Sequence, residues 1–217
     1  MRPIVVTVGP LAAASANNIA LIQTPGAAGP LTLNGSTVVK GVAVLDQARQ
    51  VLITTTDDES ANTFTITGTD WTGDVISEVV AGPDDTTAAS VLSYKTVTSV
   101  VISGAAGAGL TVGTNGAASS PWVAFDPWSN SYVAIQLTVS GTVNATLQQT
   151  LDDPNSPTNP VNPNAMTWVN SNDTAAVGFT GTIQTNYGFA PAWARILLNS
   201  GTGSVTGTFI QAEVVGR

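Results

Sequence analysis

The chain contains neither cysteine nor histidine. That removes disulfides, thiolate nucleophiles, zinc-finger ligand sets and imidazole general bases together. An enzyme built on it would have to work with carboxylates, lysine, tyrosine or hydroxyls. Charge is scarce as well. Only 9% of the 217 residues are charged, against about 25% in an ordinary soluble domain. Six lysines and arginines face 14 aspartates and glutamates, for a net charge of -8. The cations Arg2, Lys40, Arg49, Lys95, Arg195 and Arg217 do not cluster, whereas phosphate binding needs several on one face. No nucleic-acid partner is expected. Nor is there an uninterrupted apolar run of about 18 residues that could span a bilayer, so no membrane partner is expected either. So little charge in a β-rich chain points to surfaces covered by neighbouring proteins rather than by water.

What is present is β grammar, and its clearest stretch is Thr63 to Val80. Phe64, Ile66 and Gly68 alternate with threonines, the period of a strand with one buried face. Asp70-Trp71-Thr72-Gly73-Asp74 supplies a turn with a glycine free to adopt positive φ. Val75 to Val80 then returns as a second strand. Other strands are expected over Ile4–Val8, Ile19–Thr24, Thr37–Leu45, Val51–Ile53, Tyr94–Ser103 and Leu110–Val112. Beyond them come Tyr132–Val139, Val143–Leu151, Met166–Val169, Val177–Gln184, Ala194–Leu198 and Ser204–Val215. Asp46-Gln47-Ala48-Arg49 reads as a turn or a single helical turn. The Ala-rich patch at Leu11–Ala14 is too short for a helix. The N-terminus loosely imitates a signal peptide, but Pro3, Gly9 and Pro10 interrupt its apolar run, and it reads as an uncleaved strand plus arm.

Asn115–Pro121, NGAASSP, is a linker by composition. The expected organisation is therefore an arm with short strands over 1–36 and two antiparallel β-sandwich, jelly-roll-like domains over 37–118 and 119–217. A shift of 95 residues places Asp57-Asp58 on Asp152-Asp153 and Leu52 on Leu147. The glycine hairpin Gly104–Gly109 then falls near Ser200–Gly203. The halves are thus candidate copies of one sandwich of the usual size, roughly 80 to 100 residues. The rival is one larger jelly roll whose strands interleave across residue 118.

The candidate chemistry is thin. Asp57-Asp58-Glu59, Asp84-Asp85 and Asp152-Asp153 each sit where a strand stops, and turn-making alone explains aspartate there. Glycosidase chemistry would need two carboxylates facing each other across a cleft. Asp152, Asp153, Asn155 and Asn159 are oxygen ligands, but Pro154 and Pro157 interrupt them and no calcium-loop pattern is present. Trp71, Trp122, Trp128, Trp168 and Trp193 could stack on sugars, although tryptophan in a sandwich more often fills the core or a domain junction. Trp71, in its turn, is expected to be exposed. Gly104–Gly109 lacks the lysine and following helix of a phosphate loop. No catalytic residue, metal ligand or cofactor site is expected, and the chain reads as non-enzymatic.

The runs FTITGTDWTGDVISEVVAG, YKTVTSVVISG, GLTVGTNG and SSPWVAFD resemble a family of small virion structural proteins of tailed bacteriophages. QLTVSGTVNATLQQTLDD and ARILLNSGTGSVTGTFIQAE extend the resemblance over most of the chain from about Thr37. It implies a virion component without catalytic residues. The favoured position is a cement or decoration protein on the outer capsid surface, partnered by the major capsid protein or another virion protein. A homo-oligomer is expected, with a trimer favoured, or else a monomer that becomes ordered only on the capsid. The acidic balance suits a protein outside the shell, away from packaged DNA. A connector, collar or tail component near the portal is the alternative within the virion. A carbohydrate-binding module for cell attachment is the alternative outside this class.

Overall fold

The computed structural model describes residues 3–126 and 132–211. Arg2, Trp128, Arg217 and the end of the strand expected at Ser204–Val215 lie outside the described residues. The described elements are all β, with two 3₁₀ turns and no α-helix. In chain order the first strands are β1 (Ile4–Val8), β2 (Ser15–Gln23), β3 (Gly29–Pro30), β4 (Val38–Val39) and β5 (Val42–Thr54). The hairpin follows as β6 (Thr63–Thr69) and β7 (Val75–Ala81), then β8 (Thr87–Ala89), β9 (Tyr94–Ile102) and β10 (Leu110–Ser119). The later strands are β11 (Val123–Ala124), β12 (Val133–Ser140), β13 (Val143–Thr150) and β14 (Val169–Asn170). β15 (Ile183–Tyr187), β16 (Trp193–Gly201) and β17 (Ser204–Gln211) complete them. The 3₁₀ turns are Pro163–Ala165 and Thr174–Ala176.

Two compact units result: Ala12–Ala117, and Met1–Leu11 together with Ala118–Arg217. In the Ala12–Ala117 unit the sheet runs β10-β5-β9-β6-β7, with β2 on β10, β3 on β9, and β4 and β8 on β5. The β6–β7 register is uninterrupted from Thr63↔Ala81 to Thr69↔Val75. Alternation sends Phe64, Ile66, Ile76 and Val80 into a core shared with Val51, Ile53, Tyr94, Val97, Val100 and Ile102. Gly68 keeps the place of an inward residue because a Cβ there would fall 1.9 Å from the Thr96 carbonyl oxygen. That close approach coincides with a register shift of β6 on β9 between Thr67 and Gly68.

Tyr94 is fully buried in this core, and its hydroxyl donates to the Ile66 carbonyl at 3.3 Å. Burial, aided by the Glu78 charge, pushes its ionisation well above the ordinary tyrosine value. The unfolded chain ionises this phenol near pH 10, so its contribution to stability is full below that pH and is lost as pH climbs further. Comparing the protein with Tyr94→Phe in urea at pH 7 and pH 11 checks this. The variant should be less stable by about 1 kcal/mol at pH 7, the worth of one hydrogen bond. At pH 11 it should equal or exceed the parent, and a constant difference would refute the assignment.

The second unit is a sandwich. One sheet is β1-β17-β12-β15; the other holds β14-β13-β16, with β11 and the last residues of β10 on β16. Val133, Ile135, Leu137, Val205 and Phe209 from the first pack on Val143, Ala145, Leu147, Ala194, Ile196 and Leu198 from the second.

Several local expectations differ from the structure. The segment 1–36 supplies β1, which pairs along β17 in one unit, and β2 and β3, which join the sheet of the other. NGAASSP runs inside and just past β10: Ala117, Ala118, Ser119 and Ser120 are buried, and Ser120 exchanges bonds with Ile196. Small residues are chosen there for close packing, which composition cannot distinguish from flexibility. Asp46–Arg49 lies within β5 instead of forming a turn, at a register shift against β9 between Val44 and Arg49. Consecutive burial of Ala48 and Arg49 is the mark of an extra residue in the strand. Val177–Gln184 is mostly connection, with β15 beginning at Ile183.

The strand order of the halves also differs. At an offset of 95 the β6–β7 hairpin falls on 158–176, which holds a loop, two 3₁₀ turns and the two-residue β14. β10 falls on β17, which pairs with β1 and β12. At this offset the two halves do not share an arrangement of strands.

Candidate functional site

The acidic turns were the first candidates for chemistry, and two of them meet. Asp58 bridges Asp84, the Asp85 amide donates to the Asp57 carbonyl at 3.1 Å, and the Glu59 amide donates to the Pro83 carbonyl at 2.9 Å. The carboxylates of the Asp57–Glu59 turn are spent on the chain itself. Glu59 is buried and accepts from Asn62 Nδ2 at 2.6 Å and the Gly107 amide at 2.5 Å. Asp57 accepts from the Asp58 and Ala108 amides. Asp58 is exposed, and hydrogen bonds from Ser60 hold its carboxyl below the usual value, the opposite of what a general acid needs. The glycine segment 104–109 is the surface these carboxylates grip: a Cβ on Gly107 would fall 2.1 Å from Asp57 Oδ2.

Asp152 and Asp153 behave similarly. Asp152 Oδ2 accepts from the Thr167 amide at 2.6 Å, and Asp153 Oδ1 accepts from the Asn155 amide at 2.9 Å and Trp193 Nε1 at 3.2 Å. Asn155 and Asn159 take part through their backbone amides, Asn159 donating to Ser156 Oγ at 3.2 Å, and among the described residues no three acidic side chains group as a metal site. Asp70 closes the β6–β7 turn, its Oδ1 accepting from the amides of Thr72, Gly73 and Asp74 and from the Thr72 hydroxyl.

The tryptophans are arranged differently from the sequence expectation. Trp71 is half-buried, not exposed. Trp122, Trp168 and Trp193 are half-buried too, and none belongs to either hydrophobic core. They come together on the outward side of β16. The Trp122 and Trp168 ring centroids lie 5.1 Å apart, and those of Trp122 and Trp193 lie 6.3 Å apart nearly edge-on. Arg195 lies in the same group, its guanidinium carbon 4.2 Å from the Trp168 ring centroid. β16 makes this possible by alternation: Ala194, Ile196 and Leu198 face the core, leaving Trp193 and Arg195 on the other side. Arg195 Nε donates to Gln148 Oε1 at 2.9 Å. The side chain is only 7% exposed, and burial brings its pKa down to about 9. The sequence carries no signal for this cluster, because its members are distant in the chain and meet only through the sheet.

Two open faces complete the surface. On the outer side of β12, β15 and β17 a shallow depression of about 240 Å³ is lined by Ala134, Gln136, Gln184, Thr185, Thr208 and Ile210. It offers amides and hydroxyls but no acid or base. The outer face of β7-β6-β9 is equally neutral, in rows Val75–Thr69–Thr96, Ser77–Thr67–Ser99 and Val79–Thr65–Val101. No described helix is long and apolar enough to cross a membrane. Comparison of the chain with family models, with curated proteins and with solved structures finds no match.

Proposed function

We propose that the chain is a non-enzymatic structural protein of a tailed-phage virion, a cement or decoration protein that binds the outer capsid surface and stabilises the head. The resemblance of its strand and turn motifs to small phage virion proteins supports the virion. The neutral outer face of β7-β6-β9 carries the assembly role. Val75 and Val79 are 69% and 63% exposed there, beside rows of threonine and serine. The β6–β7 ladder has no bulge, and β7 has no lysine or proline on its outer side. The inner side of β7 does carry a charge, Glu78, which holds the Val91 and Leu92 amides, so the open surface is the outer face and not the strand edge. Copies that each carry a charge of -8 repel one another except where such a neutral face meets its like. On this reading the protein self-associates through the hairpin, as a trimer, and presents the assembled faces to the major capsid protein.

Copy number tests the position: a stained gel of particles should show the chain in amounts comparable with the shell protein, not with a ring at the portal. Sedimentation tests the face. The parent chain should sediment as a homo-oligomer, and Val75→Lys combined with Val79→Lys should sediment as a monomer with an unchanged circular dichroism spectrum. A parent that is monomeric at micromolar concentration, or a double variant of unchanged mass, would overturn assembly through this face.

A further inference from the structure

We propose that the cluster of Trp168, Trp193 and Arg195, backed by Trp122, is a binding site for a carboxylate-bearing saccharide of the uronic acid class. The argument begins with Arg195. A guanidinium removed from water is normally matched by an anion, because an isolated buried charge is costly. Here the side chain is more than nine-tenths buried, yet among the described residues its hydrogen bond goes to the neutral amide of Gln148. Among the described residues no carboxylate pairs with it; Asp153 instead holds Trp193 Nε1 and the Asn155 amide. The terminal nitrogens, which form the bidentate fork that matches a carboxylate, donate to no described residue. Among the described residues, none supplies an anion at that point.

The surroundings specify what should bring it. The guanidinium is flanked by the Trp168 ring at 4.2 Å, with Trp122 a further 5.1 Å from Trp168. Partly exposed indoles offer broad apolar surface with few polar atoms, the counterpart of the C–H face of a pyranose ring. A free inorganic anion would use only the arginine and leave the indoles idle. A neutral sugar would use the indoles and leave the charge unmatched. A sugar ring carrying a carboxylate uses both. Sites of this kind combine apolar walls with one or two polar groups that fix orientation. Gln148 holds Nε at 2.9 Å and leaves both terminal nitrogens for a ligand.

The test uses the whole chain and calorimetric titration with oligogalacturonate, oligomannuronate and oligoglucuronate, with the methyl-esterified oligogalacturonate as the uncharged match and inorganic phosphate as the bare anion. At least one uronate should bind, its methyl ester at least tenfold more weakly, and phosphate not measurably. Arg195→Gln should abolish binding, and Arg195→Lys should keep charge without the fork and lose at least tenfold. Trp168→Ala, which leaves the core strands untouched, should also lose at least tenfold, with the fold of each variant checked by circular dichroism. If an arginine variant fails to fold, Trp168→Ala and the ester comparison decide the matter. Absence of binding by all three uronates, equal binding of the methyl ester, or binding of phosphate as tight as that of the sugar would overturn the proposal.

Discussion

Arg49→Ala should destabilise the Ala12–Ala117 unit by about 3 kcal/mol, because a buried side chain that fills space and holds two backbone carbonyls is removed. Arg49 is 1% exposed and is the largest fully buried side chain of the described residues. Its Nη1 donates to the Ala12 carbonyl at 2.9 Å and to Asp46 Oδ1 at 3.3 Å, and Nη2 donates to the Asn115 carbonyl. Asp46 Oδ2 in turn accepts from the Ala12 amide at 2.6 Å. One side chain therefore ties the start of this unit and the end of β10 to the irregular part of β5. Burial alone would raise the Asp46 carboxyl, but the Ala12 amide and the Arg49 charge outweigh it and hold it below the usual value. Its contribution is thus present above the unfolded value near 3.8 and is lost as pH falls through the lowered one. Removing Arg49 leaves two carbonyls without this donor and a largely exposed carboxylate without its cation. Arg49→Met, which keeps the volume, should recover part of the packing but none of the hydrogen bonds. Urea midpoints at pH 7 with circular dichroism measure both. A loss below about 1 kcal/mol in Arg49→Ala, the scale of an exposed ion pair, would show that β5 holds its shape without the arginine.

Phe64→Ala should cost still more, about 4 kcal/mol, by loss of transfer free energy together with the cavity left behind. Phe64 is fully buried, opposite Val80 on one side and Ile102 on the other. Both neighbours are themselves held in ladders, so the space cannot close by movement of one loop. Thr65→Ala, one residue along and facing outward, should stay within about 0.5 kcal/mol. The contrast between adjacent positions is the test, because it follows from alternation and not from the hairpin as a whole. Equal effects at the two sites would mean that β6 does not bury one face. Both should be read from the transition of the Ala12–Ala117 unit alone, since a chain of two units need not unfold in one step.

Much of the fold was legible in the residues. Thr63–Val80 shows a period of two on both arms, and a one-residue slip would turn Phe64, Ile66, Ile76 and Val80 to solvent. The hairpin and its buried face therefore follow from local pattern. Aspartates at strand ends follow from turn chemistry, since Asp70, Asp57 and Asp153 bind amides within a few residues of themselves. Other stretches were ambiguous for physical reasons. NGAASSP has the composition of a flexible joint, yet Ala118 and Ser120 are small because β16 passes close by. Asp46–Arg49 has the composition of a turn, yet an extra residue is absorbed inside β5 because Arg49 has carbonyls to bind on two distant segments.

The sequence by itself determined an all-β chain without thiol or imidazole chemistry, the hairpin with its inward and outward faces, and the net negative charge. These are properties of residue type and of short-range periodicity, which act within a few positions of the chain. Tertiary structure alone decided that β1 joins β17, that two acidic turns meet, and that Trp122, Trp168 and Trp193 gather around a buried Arg195. Strand pairing is a choice among many partners with similar alternation, and it is made by the total burial and hydrogen bonding of the folded units. A side chain on the outward face of a strand acquires its neighbours only after that choice is made.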